Sequence, residues 1–220
     1  MKRYFLSTLC FSFLVFTLVS AQSTTRDNST APFEGKIHFK KTSGALDMKY
    51  NYYVKADMVR LEELNEVNEV VGIQLINNAE NQLTAVSPER KLYLEAPPRR
   101  SGAALTVKVV KTEKKKEILG LDCFEVIVIN QEQDRKIVYW LTEGNYTFFK
   151  PMLKILNRKE KQAMYFLEIK GVENCWPVKS IEYVISTGKV LSKLVTLSIE
   201  NGPQSASLFE IPEGYTKFEN

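Results

Sequence analysis

Histidine is almost missing: His38 is the only one in 220 residues. That excludes a metal centre built on several imidazoles, and a Ser-His-Asp hydrolase would rest wholly on this residue. Its place on the polar side of the first strand-like run favours a surface role. Cysteine is scarce too, with three. No C-x-x-C pair, G-x-S-x-G elbow or glycine-rich phosphate loop occurs. The net charge of +4 is small, so nothing in the balance invites nucleic acid or an acidic substrate. No repeat of fixed period appears, and beyond the N-terminus no stretch is apolar enough to span a bilayer. The expectation is therefore no catalytic residue, no metal and no cofactor, with a mature chain that folds unaided.

What is present begins with a targeting signal. Lys2 and Arg3 precede an apolar run from Tyr4 to Val19, and Val19-Ser20-Ala21 supplies the small residues of a cleavage site. A run of about 16 residues falls short of the roughly 20 that a membrane helix needs. Cys10 lies inside it without the preceding small residue of a lipoprotein signal. Cleavage near Ala21 leaves 199 residues and a charge of about +2. This predicts an exported protein, periplasmic or extracellular, soluble once residues 1–21 are removed. A polar leader over 22–32 then precedes a single β-rich domain at 33–220, a length that buries roughly 70% of the unfolded surface.

The domain reads as short strands between turns. Phe33, Gly35, Ile37 and Phe39 share a face; after Ser43-Gly44, Leu46, Met48, Tyr50 and Tyr52 share another, giving a hairpin with one wet side. Met58 to Glu63, Val70 to Ile76, Leu83 to Val86 and Leu92 to Leu94 extend a meander. The loop from Ala96 to Gly102 is not taken as a domain boundary. Ala104 to Asn130 forms two apolar runs around Lys/Glu-rich Thr112 to Glu117, with a bend at Gly120. Because Cys123, Ile127 and Ile129 make the second run apolar on both faces, the pair is expected in the middle of an antiparallel sheet with 112–117 as a solvated tip.

One segment departs from this texture. Phe149, Met152, Leu153 and Leu156 recur at spacings of three and four, with Pro151 in the first turn, which predicts a short helix. Met164 to Ile169 fits helix or strand. Trp176-Pro177 should break the chain before Ser180 to Ile185, and Leu191 to Ile199 and Ala206 to Gly214 read as extended.

The candidate functional residues follow from these runs. The insert with Trp140, Phe148, Phe149, Met152 and Leu156 either plugs the open side of a curved sheet or walls an apolar ligand pocket. The acids Glu62, Glu63, Glu66 and Glu69 read as a solvated turn rather than a paired-acid centre. Lys114, Lys115 and Lys116 read as a charged hairpin tip. Cys123 and Cys175 either form a bridge, closing about 52 residues and contributing on the order of 4 kcal/mol, or remain separate buried thiols.

Taken in order, FEGKIHFK, YYVKADMVRLE, KTEKKKEILGLDCFEVIV and FEIPEGYTKFE resemble a family of exported bacterial proteins described as a domain of unknown function, from about Phe33 to Phe218. That family looks related to the lipoprotein-carrier and lipoprotein-sensor half-barrels (LolA, LolB and RseB-like). The resemblance implies a mainly β fold, a curved antiparallel sheet forming an open half-barrel with one or two short helices closing its concave side. It also implies, as expectations, a non-enzymatic envelope protein that acts as a monomer and holds an apolar ligand such as a lipid or lipoprotein acyl chain. The alternative is an interaction protein that meets an envelope partner through a sheet edge or the Tyr50/Tyr52/Tyr53 strand.

Overall fold

Short turns punctuate the chain where the sequence runs out of alternation, and the strands they separate join one sheet. The computed structural model describes residues 31–97 and 105–219; the signal read at 1–21 and nearly all of the leader lie outside them. The first meander comprises β1 (Gly35–Ser43), β2 (Leu46–Lys55), β3 (Met58–Leu64), β4 (Val70–Asn77), β5 (Gln82–Ser87) and β6 (Leu92–Ala96). The second comprises β7 (Lys108–Ile118), β8 (Leu121–Asn130), β9 (Arg135–Glu143), β10 (Cys175–Val184) and β11 (Val190–Asn201). Helices α1 (Phe149–Leu156) and α2 (Lys161–Leu167) separate β9 from β10. A 3₁₀ turn at Ala206–Phe209 and the short β12 (Thr216–Lys217) end the chain.

The spatial order is β12-β6-β5-β4-β3-β2-β1-β11-β10-β9-β8-β7. Two sequential meanders are thus fused along one seam, where β1 pairs with β11 from Gly35 opposite Asn201 to Ser43 opposite Ser192. The sheet is open and curved, and the parallel pairing of β12 with β6 makes it mixed.

The middle therefore belongs to β1 and β11, not to the 104–130 stretch expected there. That stretch forms β7 and β8, and β7 is an outermost strand. Its lysine-rich segment is part of the strand rather than a tip: β7 continues to Ile118, and Leu119 and Gly120, with φ of 55° and 72°, make the turn. Charge along an edge strand discourages edge-to-edge pairing, which fits KTEKKKE at this position. The two-sided apolarity of β8 also has a different origin. Val126 and Val128 face the core, while on the outer face Ile127 joins half-buried Val110, Val138 and Ile181 as cross-strand neighbours.

Helix α1 forms as its spacing predicts, burying Phe149, Met152, Leu153 and Leu156. It stops at Asn157, which adopts the left-handed conformation (φ 43°) and donates its backbone N–H to the Leu153 carbonyl. The 161–167 segment resolves as helix. Its Gln162 is buried, donating from Nε2 to Ser192 Oγ at 2.9 Å and accepting from Ser180 Oγ at 2.9 Å, which ties α2 to the sheet. Trp176-Pro177 lies inside β10, where Pro177 stands opposite Leu141 and a register shift follows it directly, between Pro177 and Lys179.

On the opposite, outer face, the C-terminal segment crosses β2 and β3. Arg60 donates to the Leu208 carbonyl at 3.0 Å and Lys55 to that of Gln204 at 2.7 Å. Beneath it Glu62 is buried and ion-paired to Arg60 at 2.8 Å, not solvated as its acidic run suggested. His38 is half-buried and hydrogen-bonded through Nδ1 to Asn51 at 2.8 Å.

Candidate functional site

Period-two alternation sends Tyr50 and Tyr52 of β2, Leu61 of β3, Gln74 of β4, Ala85 of β5 and Leu94 of β6 to the same side as the helices. The last five are direct neighbours across the strands: Tyr52 opposite Leu61, Leu61 opposite Gln74, Gln74 opposite Ala85 and Ala85 opposite Leu94. Helix α2 packs on β10 while α1 reaches across the inner face to β4 and β5, and Trp176 anchors the packing. Its indole is buried among the rings of Phe149 (4.7 Å between centroids), Tyr52 (5.9 Å), Phe39 (6.2 Å) and Phe148 (6.3 Å). Its Nε1 donates to Thr196 Oγ1 at 2.9 Å.

The helices leave part of the far half of the sheet uncovered. There the inner face of β3 to β6 forms the floor of a pocket of about 400 Å³, walled by Tyr50, Leu61, Val71, Ala85, Leu94 and Phe218 among others. This falls within the usual range for small-molecule sites. Val71, Leu94 and Phe218 are 48%, 37% and 48% exposed, so the wall is apolar and open to solvent. A smaller chamber of about 70 Å³ lies beneath the helices, between Phe39, Tyr139, Phe149, Phe166 and Trp176. Tyr50, Leu61 and Arg158 line both spaces.

Arg158 sits in the connection between α1 and α2, where its guanidinium donates to Gln74 Oε1 at 3.2 Å and pairs with Glu160 at 3.5 Å. Lys41 reaches the same Glu160 oxygen at 3.3 Å. Burial pushes the Tyr52 phenol up to about 12 despite the neighbouring Arg158 charge, so it stays a hydroxyl donor at neutral pH.

Residues 33–215 match the family model described as "Domain of unknown function (DUF4412)". The chain belongs to this family. No curated protein matches it. An uncharacterized conserved protein from Thermus thermophilus has a similar fold, with a TM-score of 0.51 at 10% identity over 83% of this DUF4412 chain and 88% of the other. MucB, crystallised in complex with MucA(peri), aligns with a TM-score of 0.44 and 11% identity over 81% of this chain and 54% of its own. A LolA superfamily protein, NE2245 from Nitrosomonas europaea, aligns with a TM-score of 0.33 and 12% identity over 81% and 89%.

Of the residues singled out in the sequence, the DUF4412 fold brings Phe148, Phe149, Met152 and Leu156 together, all buried in the core. Phe149 reaches the small chamber. Trp140 is half-buried and packs at the margin of that core rather than among them. It alternates with inward Tyr139 and Leu141, and on the outer face Lys116 Nζ stands 3.7 Å from its ring centroid. The tryptophan at the centre is Trp176. Of the Tyr50/Tyr52/Tyr53 strand, Tyr50 and Tyr52 are buried. The pocket residues Val71, Leu94 and Arg158 carried no motif; their only signal was membership of strands or of a charged run.

Cys123 and Cys175 are free, buried thiols rather than a bridge. They lie on β8 and β10 with β9 between, so two strand spacings, roughly 9.6 Å, part their backbones. That exceeds the reach of a disulfide. Burial pushes both thiols up, Cys175 to about 11, which keeps them protonated and unreactive at neutral pH. An aromatic-disulfide thiol reagent should label neither in the native mature protein and both in urea, and the intact mass should show no two-dalton deficit. Prompt labelling of the native protein would contradict this burial.

Proposed function

We propose that this protein is a non-enzymatic binding protein of the bacterial envelope that holds an acyl-type apolar ligand in the open pocket over β3 to β6. The observation that carries this is the cluster of Val71, Leu94 and Phe218, three large apolar side chains left solvent-exposed around one concavity of about 400 Å³. A folded chain rarely leaves such a wall uncovered unless something fills it. The buried insert supports the same site from behind, because α1 and α2 fix the position of Arg158 and close the adjoining chamber. The polar groups facing the pocket, among them Gln74, Tyr50, Glu63, Ser87, Arg90 and Arg158, suit orientation of a ligand. Export follows from the signal read at residues 1–21.

The test is a titration of the mature protein with a polyene fatty acid that fluoresces only in apolar surroundings. Saturable one-to-one binding is expected, weakened about tenfold or more by Leu94→Asp, which puts a charge on the wall of the cavity. Absence of binding, or equal binding by the variant, overturns the reading.

A further inference from the structure

We infer that the ligand is an amphiphile with a carboxylate head, and that the head enters first, to be read at the junction of the two cavities by Arg158 and the hydroxyls of Tyr50 and Tyr52. This rests on the pocket reading above and adds what the apolar wall alone does not give, namely the charge and orientation of the occupant.

The junction is built for an anion. Arg158 is one of three residues that line both the open pocket and the inner chamber. Its acidic partner among the described residues, Glu160, is shared with Lys41, so the trio carries a net positive charge. Glu63, the other acid lining the pocket, is exposed and is accompanied there by exposed Arg90. Tyr50 and Tyr52 are 5% and 6% exposed. The Tyr50 hydroxyl donates to Met48 Sδ, at 3.4 Å, a weak acceptor, and interacts with Arg158, while Tyr52 lines the inner chamber beside the same guanidinium. Two phenol donors beside a guanidinium match the acceptor-only oxygens of a carboxylate, and such charge-assisted bonds are about twice as strong as neutral ones.

The space fits the same division. The chamber of about 70 Å³ admits a head group, whereas the pocket of about 400 Å³ with Val71, Leu94 and Phe218 on its wall accepts a chain. The head therefore sits deep at Arg158 and the tail runs outward along β4 to β6.

Calorimetric titration of the mature protein with dodecanoic acid, dodecanol and acetate tests this. The acid should bind at least about tenfold tighter than the alcohol, and acetate alone should not displace it. Arg158→Gln should bring acid and alcohol within about threefold of one another, the acid losing more affinity than the alcohol. Tyr52→Phe, which keeps the ring, should weaken the acid several-fold and not the alcohol. Equal binding of acid and alcohol by the unaltered protein overturns the inference and leaves the apolar pocket standing, as does a preference that survives Arg158→Gln. Displacement by acetate at the same concentration makes the junction a small-anion site and also overturns it. If neither amphiphile binds, the pocket reading falls together with it.

Discussion

Gly72→Leu is expected to lower acyl-ligand affinity roughly tenfold to a hundredfold while leaving the melting temperature unchanged or higher. Gly72 lies on β4 opposite Glu63 and lines the open pocket. A Cβ added there meets only the Glu63 Cβ, at 3.9 Å, and its backbone is not in the left-handed region. The new side chain therefore enters without strain and occupies the ligand's space. Forcing extra methylenes into occupied volume costs about 1–3 kcal/mol, which sets the size of the affinity loss. The same change removes a strand-interior glycine, which contributes about 0.5–1 kcal/mol to stability through the unfolded chain. Calorimetry and a thermal melt on one sample separate the two effects. Unchanged affinity would place the ligand elsewhere, and loss of affinity together with a lower melting temperature would mean the residue acts through folding.

Trp176→Ala should cost about 3–5 kcal/mol, a large share of the 5–15 kcal/mol by which a domain is stable. The indole is the meeting point of rings from β1, β2 and α1, and its loss also strips Thr196 Oγ1 of a buried donor. Trp140→Ala, on the outer face, removes a half-buried ring and one lysine contact and should cost about 1 kcal/mol or less. Urea unfolding followed by far-ultraviolet circular dichroism measures both. Equal destabilisation by the two changes would refute the assignment of Trp176 as the centre of the core.

The contrast between these tryptophans shows what the sequence could and could not reveal. Alternation already put Trp140 on the side opposite Tyr139 and Leu141; grouping it with Phe148 and Phe149 followed nearness along the chain, which a strand does not honour. Trp176 was hidden by Pro177, whose missing N–H reads as a strand breaker until a register shift accommodates it. Helix α1 was legible because its four buried residues keep a spacing that no strand reproduces. The hairpin of β1 and β2 was legible from its turn and paired faces. The position of β8 was not, because apolarity on both faces reports coverage or cross-strand neighbours without distinguishing them. The pocket was the least visible part. Val71, Leu94, Arg158 and Phe218 are far apart in the chain and ordinary one by one, and only the turn of the sheet and the end of α1 bring them to one hollow.

The seam between β1 and β11 governs the order in which the chain can fold. Each meander needs only neighbours in sequence, so each can zip up locally and fast. The bond between them joins Gly35 to Asn201, positions 166 residues apart, and closing so long a loop is the slow step. Until β11 has emerged, β1 presents a bare edge carrying Ile37 and Phe39, the sort of surface that captures other chains. Synthesis from the N-terminus exposes that edge until nearly the whole chain has been made. Refolding should therefore show a slow phase that shortens in a circular permutant opened in the connection between β6 and β7, which brings β1 and β11 close in sequence.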